Sequence, residues 1–133
     1  MKLRFLLDTN IVIRWFAAPG KLSREQVRVI REAERRGEPL ALSATSLIEV
    51  AIMRREGRHR LEGNIDDIFE QLEISTLFRI LPITIPIAVD AGALSILRDP
   101  ADRTIVATAR VHGLRLLTSD ERIIDSKVVA VVD

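Results

Sequence analysis

Five short apolar runs, each followed by or lying between segments with helical punctuation, constrain this chain more than any other feature. They are Leu3–Leu7 (LRFLL), Pro39–Ser43 (PLALS), Arg79–Ile83 (RILPI), Leu114–Leu117 (LRLL) and Val128–Val132 (VVAVV). Their apolar residues run together instead of alternating with polar ones, which is the pattern of strands covered on both faces. Between them lie segments that start and stop as helices do. One runs from Ile11 to Ala17 and stops at Pro19-Gly20, and a charged amphipathic one runs from Ser23 to Arg36, closed by Gly37, with Val27 and Ile30 on its buried side. Others span Ser46 to Arg55, stopped by Gly57, Asn64 to Glu73, and Ile87 to Leu97. Asp99-Pro100 opens a last one that ends at Gly113, since Asp caps well and Pro is tolerated at the first helical position. Strands separated by helices imply a three-layer α/β/α sandwich with a central, mainly parallel sheet. Periodicity does not set the strand order. With 133 residues and no linker or repeat, the expectation is a single domain over residues 1–133.

The composition removes several kinds of chemistry. There is no cysteine, so there is no disulfide framework, thiolate nucleophile or thiolate zinc site. Two isolated histidines, His59 and His112, do not make a His-rich metal site. Lys+Arg number 20 and Asp+Glu 19, so a basic coat for nucleic acid is absent and any such contact must be local. Asp8 interrupts the N-terminal apolar run before a signal-peptide core forms, and the apolar stretch from Ile80 to Val89 is about half the ~20 residues that span a bilayer. The expected setting is the reducing cytoplasm. Catalysis then has to run on carboxylates and hydroxyls.

Four acids stand where a parallel sheet would gather them. Asp8 follows the first strand, and Asp120 follows the Leu114–Leu117 strand through Thr118-Ser119. Glu49 and Asp102 are expected in the first turns of two helices. Connections leaving the carboxyl ends of parallel strands share one edge of the sheet, where open α/β folds bind ligands. Convergence is therefore expected despite spacings of 41, 53 and 18 residues. Each acid also has a plain structural reading. Ser46-Leu47-Ile48-Glu49 has the spacing of a capping box, Asp102 complements a helix dipole, and Asp8 and Asp120 suit N-caps. Taken together, four like charges repel unless a cation neutralises them, and Mg²⁺ or Mn²⁺ suits an all-oxygen set.

In order, LLDTNIVI (Leu6–Ile13), SATSLIEV (Ser43–Val50), DPADRTIVATA (Asp99–Ala109) and LLTSDERI (Leu116–Ile123) resemble the PIN-domain family, specifically its VapC-type toxin ribonucleases. The resemblance covers essentially the whole chain and implies a PIN-like fold. It also implies a metal-dependent endoribonuclease, the toxin of a type II toxin–antitoxin pair, with Asp8, Glu49, Asp102 and Asp120 holding Mg²⁺ or Mn²⁺. Within DPADR, the family pattern of an Asp followed by xxIxATA selects Asp102 over Asp99. Thr9, Asn10 and Thr118 are candidates to orient the carboxylates; turn chemistry is an equal reading for the first two. Metal ions so held would lower the pKa of a bound water and stabilise charge on the scissile phosphate. The expected partners are RNA, a small cognate antitoxin and a second copy of the chain.

The densest basic run is Arg54-Arg55-Glu56-Gly57-Arg58-His59-Arg60; Arg54, Arg55, Arg58 and Arg60 are the candidates for RNA phosphate. Lys21, Arg24, Arg28, Arg31 and Arg35 recur at helical spacing, with Glu25, Glu32 and Glu34 as partners on a solvated face. Trp15 and Phe16 suit a core or interface better than base stacking. The region Ile83–Leu97 suits either an interface or the core. Gly20-Lys21 lacks the glycine and hydroxyl of a phosphate loop. The rival to an enzyme is a non-catalytic PIN-like binding or regulatory module whose acids are helix caps.

Overall fold

A computed structural model describes residues 2–56 and 65–133. The five apolar runs supply β1 (Phe5–Leu7), β2 (Leu40–Ser43), β3 (Phe78–Leu81), β4 (Arg115–Leu117) and β5 (Val131–Val132). Every pairing is parallel, and the order across the sheet is β3-β2-β1-β4-β5. The chain therefore builds outward from β1 to one side and then returns to its other side. The point where this order reverses lies between β1 and β4.

Successive residues of a strand point to opposite faces, so a continuous apolar run must have both faces covered. In β1, fully buried Leu7 packs into a core with Ile11, Val12, Ile30, Val50 and Ile68. Its neighbour Leu6 packs into a second core with Ile87, Ile105, Val106 and Ile123. Leu117 and Leu116 divide in the same way. The first core is covered by α1 (Thr9–Ala17), α2 (Arg24–Arg36), α3 (Ala44–Glu56) and α4 (Ile65–Ile74). The second is covered by α5 (Ile85–Ala93), α6 (Pro100–His112) and α7 (Glu121–Ser126). Truncating Leu6 or Leu7 to alanine would cost about 2–5 kcal/mol from either core.

Helix ends follow local chemistry. Ser23 and Gln26 form a capping box on α2, and Gly37 and Gly113 close α2 and α6 in the left-handed conformation that glycine adopts freely. Asp99 caps α6, accepting from the Ala101 and Asp102 N–H groups.

Three expectations need correcting. First, α3 leaves β2 directly at Ala44, so Ser46 and Glu49 lie inside the helix and form no capping box; Glu49 stands in the second turn, not the first. Second, α5 spans Ile85–Ala93 rather than 87–97. Its chain then tightens through Leu94 N–H to Ala91 C=O and Leu97 N–H to Leu94 C=O, which turns both leucines into the second core. Third, the six-residue α7 was not anticipated; Asp120 caps it by accepting the Arg122 N–H. A short 3₁₀ turn, Pro19–Lys21, follows the expected stop of α1.

Candidate active site

The site is built at the carboxyl edge of the sheet, beside the reversal between β1 and β4, where open α/β sheets place their ligand sites. Asp8 prolongs β1 by one residue, its N–H donating to Leu117 C=O at 2.9 Å. Its carboxylate caps α1, Oδ1 accepting the Thr9 N–H at 2.8 Å. Oδ2 accepts the Thr118 hydroxyl at 2.7 Å, and Asp8 is only 6% exposed. Burial dominates its titration and raises its pKa; the bonds from Thr118 and Thr9 pull the other way, and Asp120 adds to the rise.

Thr9 carries the next link. Its Oγ1 lies 2.5 Å from Glu49 Oε1 and 2.9 Å from Ser46 Oγ. A hydroxyl has one proton to give, and the carboxylate can only accept, so Thr9 donates to Glu49 and the serine hydroxyl completes the contact. Glu49 also titrates high, through burial first and then the negative charges of Asp8 and Asp99.

Asp102 stands in the first turn of α6, where Asp99 Oδ1 accepts its N–H. Its pKa is pushed up to about 7, by burial first and then by Asp99, Asp8 and Asp120, with Arg122 opposing. Asp120 goes the other way. Burial raises it, yet the Arg122 guanidinium and the N–H groups at the start of α7 outweigh that and leave it low. Arg122 Nη2 is 3.1 Å from Asp120 Oδ2 and 3.7 Å from Asp102 Oδ2. Thr118 Oγ1 accepts the Asp120 N–H at 3.1 Å, so one threonine touches two of the four acids.

Asp8, Glu49, Asp102 and Asp120 are thus gathered at one edge and act on one another electrostatically, with Asp99 as a fifth charge. Thr9 and Thr118 hold carboxylates directly. Asn10 is exposed in the first turn of α1. Arg54 and Arg55 are exposed in the last turn of α3, about 8 Å along the helix from Glu49. Arg58 and Arg60 lie outside the described residues. The cap reading is true in part, since Asp8, Asp99 and Asp120 all cap helices. Asp102 stands in the first turn of α6, where its charge suits the helix dipole. The reading therefore leaves Glu49 alone of the four unexplained, because it stands in the second turn of α3.

Three residues that hold the site together were not anticipated. Ser46 is fully buried beneath Thr9. Gln26, also fully buried, donates from Nε2 to the carbonyls of Thr118 and Val132, both at 3.2 Å, and so fixes the end of β4. Its spacing from Ser23 is that of a capping box and was legible; its reach to the site was not. Arg122 is paired most closely with Asp120, two residues away; its reach to Asp102, 20 residues away, left no local signal. By contrast, the basic face of α2 is a solvated one, with Arg28 paired to Glu25 and Arg35 and Arg36 to Glu32. Trp15 and Phe16 pack against the first core.

The ordered acids and the fold that presents them agree with comparison to known proteins. Residues 5–128 match the family model of the PIN domain. The chain belongs to the PIN-domain family. "Ribonuclease VapC22" of Mycobacterium tuberculosis (strain ATCC 25618 / H37Rv) is 37% identical over 120 residues, 89% of this chain and 88% of the relative. Among solved structures, FitAcB from Neisseria gonorrhoeae is similar at 28% identity and a TM-score of 0.65, covering 97% of this chain and 96% of that one. VapBC2 from Rickettsia felis, bound to a DNA fragment from its promoter, has a TM-score of 0.71 over 98% of each chain; at 13% identity it speaks for the fold alone. The M. tuberculosis relative puts this PIN domain with the VapC type.

Among the described residues, no three acidic side chains stand close enough to ligate one ion as they are placed. The donor chemistry of the PIN site still fits a hard divalent cation. Its donors are oxygens, three of its carboxylates are pushed toward protonation by burial and mutual repulsion, and Mg²⁺ needs only one or two direct carboxylates because it keeps several waters. No helix among the described residues is long and apolar enough to cross a membrane.

Proposed function

We propose that this PIN domain is a metal-dependent endoribonuclease and the toxin of a toxin–antitoxin pair, acting in the cytoplasm. The observation that carries the reading is the convergence of Asp8, Glu49, Asp102 and Asp120, with Asp102 pushed up to about 7. A cluster that disfavours its own negative charge is a cluster prepared for a cation. Asp8, Glu49, Asp102 and Asp120 would hold Mg²⁺ or Mn²⁺. The ion, when bound, supplies a water of lowered pKa and neutralises charge on the scissile phosphate.

The chain's own residues prepare that site. Thr118 and the Thr9 N–H each bond one oxygen of Asp8, and each oxygen keeps a further lone pair that could serve a metal ion. Thr9 fixes one oxygen of Glu49. Arg54 and Arg55, with Arg58 and Arg60, are the proposed cations for RNA phosphate.

The name of the M. tuberculosis relative supports ribonuclease activity, and a solved toxin–antitoxin complex from Klebsiella pneumoniae, 25% identical with a TM-score of 0.63, supports a protein antitoxin as partner. We also propose a homodimer. The region from Ile83 to Leu97 has two faces: Ile87, Leu94 and Leu97 are buried, while Ile85 and Val89 are 81% and 69% exposed. An exposed apolar face of this kind suits an interface. The test is incubation of the purified chain with structured RNA in Mg²⁺, in Mn²⁺ and in chelator. New RNA ends in either metal and none in chelator are expected. Intact RNA under all three conditions would defeat the reading and favour a non-catalytic module.

A further inference from the structure

Arg122 touches the acidic centre without belonging to it. Its Nη2 lies 3.1 Å from Asp120 Oδ2 and 3.7 Å from Asp102 Oδ2, and its Nε lies 3.3 Å from Asp120 Oδ1. Both prongs of the guanidinium therefore engage Asp120, and one leans toward Asp102. The side chain is nonetheless 74% exposed, so it reaches in from solvent and can leave at little cost. Its backbone is anchored independently, because the Arg122 N–H donates to Asp120 Oδ1 at the start of α7. Losing the guanidinium contact leaves the helix cap in place.

We propose that Arg122 is an exchangeable counter-ion: it neutralises Asp120 and Asp102 while no divalent cation is bound, is displaced when one binds, and then contacts the RNA phosphate at the mouth of the site. A dication and a guanidinium crowded against the same carboxylate repel each other, and Arg122 already occupies both oxygens of Asp120, so guanidinium and metal compete for it. A planar guanidinium freed at the rim of a metal–phosphate site has the geometry that pairs with phosphate oxygens. The metal then does more than assemble the acids, because its arrival releases a phosphate ligand.

The inference rests on the proposed metal site, and the experiment keeps the two apart. Mn²⁺ binding to the full chain is measured by calorimetry without RNA, for wild type, Arg122→Gln and Arg122→Lys. KM for RNA is then measured at saturating Mn²⁺. Removing the competitor should tighten Mn²⁺ binding about two- to fivefold in Arg122→Gln, the range of an exposed ion pair. The same variant should raise KM for RNA severalfold, so the two constants move in opposite senses, which general damage to the site would not produce. Arg122→Lys keeps the charge but loses the two-pronged contact, and should bind Mn²⁺ more tightly than wild type but less tightly than Arg122→Gln. Equal Mn²⁺ affinity in wild type and Arg122→Gln, or an unchanged KM, overturns the inference while leaving the metal site standing. A lysine variant identical to wild type also overturns it, since the effect would then be one of field and not of displacement. Absence of Mn²⁺ binding in all three proteins overturns both the inference and the metal site.

Discussion

Thr118 Oγ1 donates to Asp8 Oδ2 at 2.7 Å and accepts the Asp120 N–H at 3.1 Å, so a single hydroxyl ties the acid after β1 to the acid after β4. Asp8 is buried, and among the described residues its carboxylate accepts one further hydrogen bond, from the Thr9 N–H. Thr118→Val keeps the shape and removes the hydroxyl. It should cost about 1–3 kcal/mol of stability, the penalty for an orphaned buried polar group, and reduce cleavage. Urea unfolding reads the first effect. Thr118→Ser should restore most of both, and a valine variant as stable and active as wild type would remove Thr118 from the site.

Gln26 supports the same edge from α2. Its amide satisfies the carbonyls of Thr118 and Val132, while its Oε1 accepts the Ser23 N–H at 3.1 Å. Gln26→Met has similar length and no donors, so it should destabilise the fold by about 1–3 kcal/mol. Crystallography or amide exchange should find the change at residues 118–120, with α6 undisturbed.

The raised acids make stability depend on pH in a definite sense. Asp102 folds with a pKa of about 7 against an ordinary value of 3.8, so between these values the native state holds more protons than the unfolded chain. Stability from this group is fully present below pH 4 and lost as pH rises through 7. Glu49 and Asp8, also raised, add in the same direction. In chelator, the melting temperature should fall from pH 5 to pH 8. Mg²⁺ or Mn²⁺ should recover it at pH 8 and have a smaller effect at pH 5, where a proton occupies Asp102. A melting temperature that rises with pH in chelator would contradict this electrostatic picture.

Asp99 and Asp102 separate by role. Asp99 caps α6 and is the charge that most raises Asp102 after burial. Asparagine caps as well as aspartate, so Asp99→Asn should fold normally and retain substantial activity. Its pH–rate profile should shift to lower pH as Asp102 loses a repelling neighbour. Asp102→Asn should be inactive at every pH. The reverse pattern would exchange the two assignments.

Much of the architecture was legible because the strands are apolar on both faces. Leu6 and Leu7, or Leu116 and Leu117, only make sense with cover on each side of the sheet. Strand order was not legible, since backbone pairing leaves no periodic trace in the sequence. The Ser46–Glu49 capping-box reading failed because α3 begins without a connecting turn, which moves Ser46 into the helix and frees its hydroxyl for Thr9. The six residues of α7 are too few to show a helical period, and Arg122 was hidden with them. The acids stood out because each follows a strand or enters a helix at one end of the fold. Their mutual electrostatics, including the part Asp99 plays, needed the structure.

The most direct measurement is the rate of RNA cleavage against Mn²⁺ concentration for wild type and Asp8→Asn, with both melting profiles recorded in chelator. The asparagine is nearly isosteric and keeps an oxygen for Thr118 but loses the bond from the Thr9 N–H, while the cost of burying a charge also goes. The fold should therefore survive, with any loss at pH 8 no more than about 1–3 kcal/mol. Wild type should show saturable, Mn²⁺-dependent cleavage, and Asp8→Asn should show none at any concentration. Cleavage by a folded Asp8→Asn protein at the wild-type rate would contradict the assignment of the site.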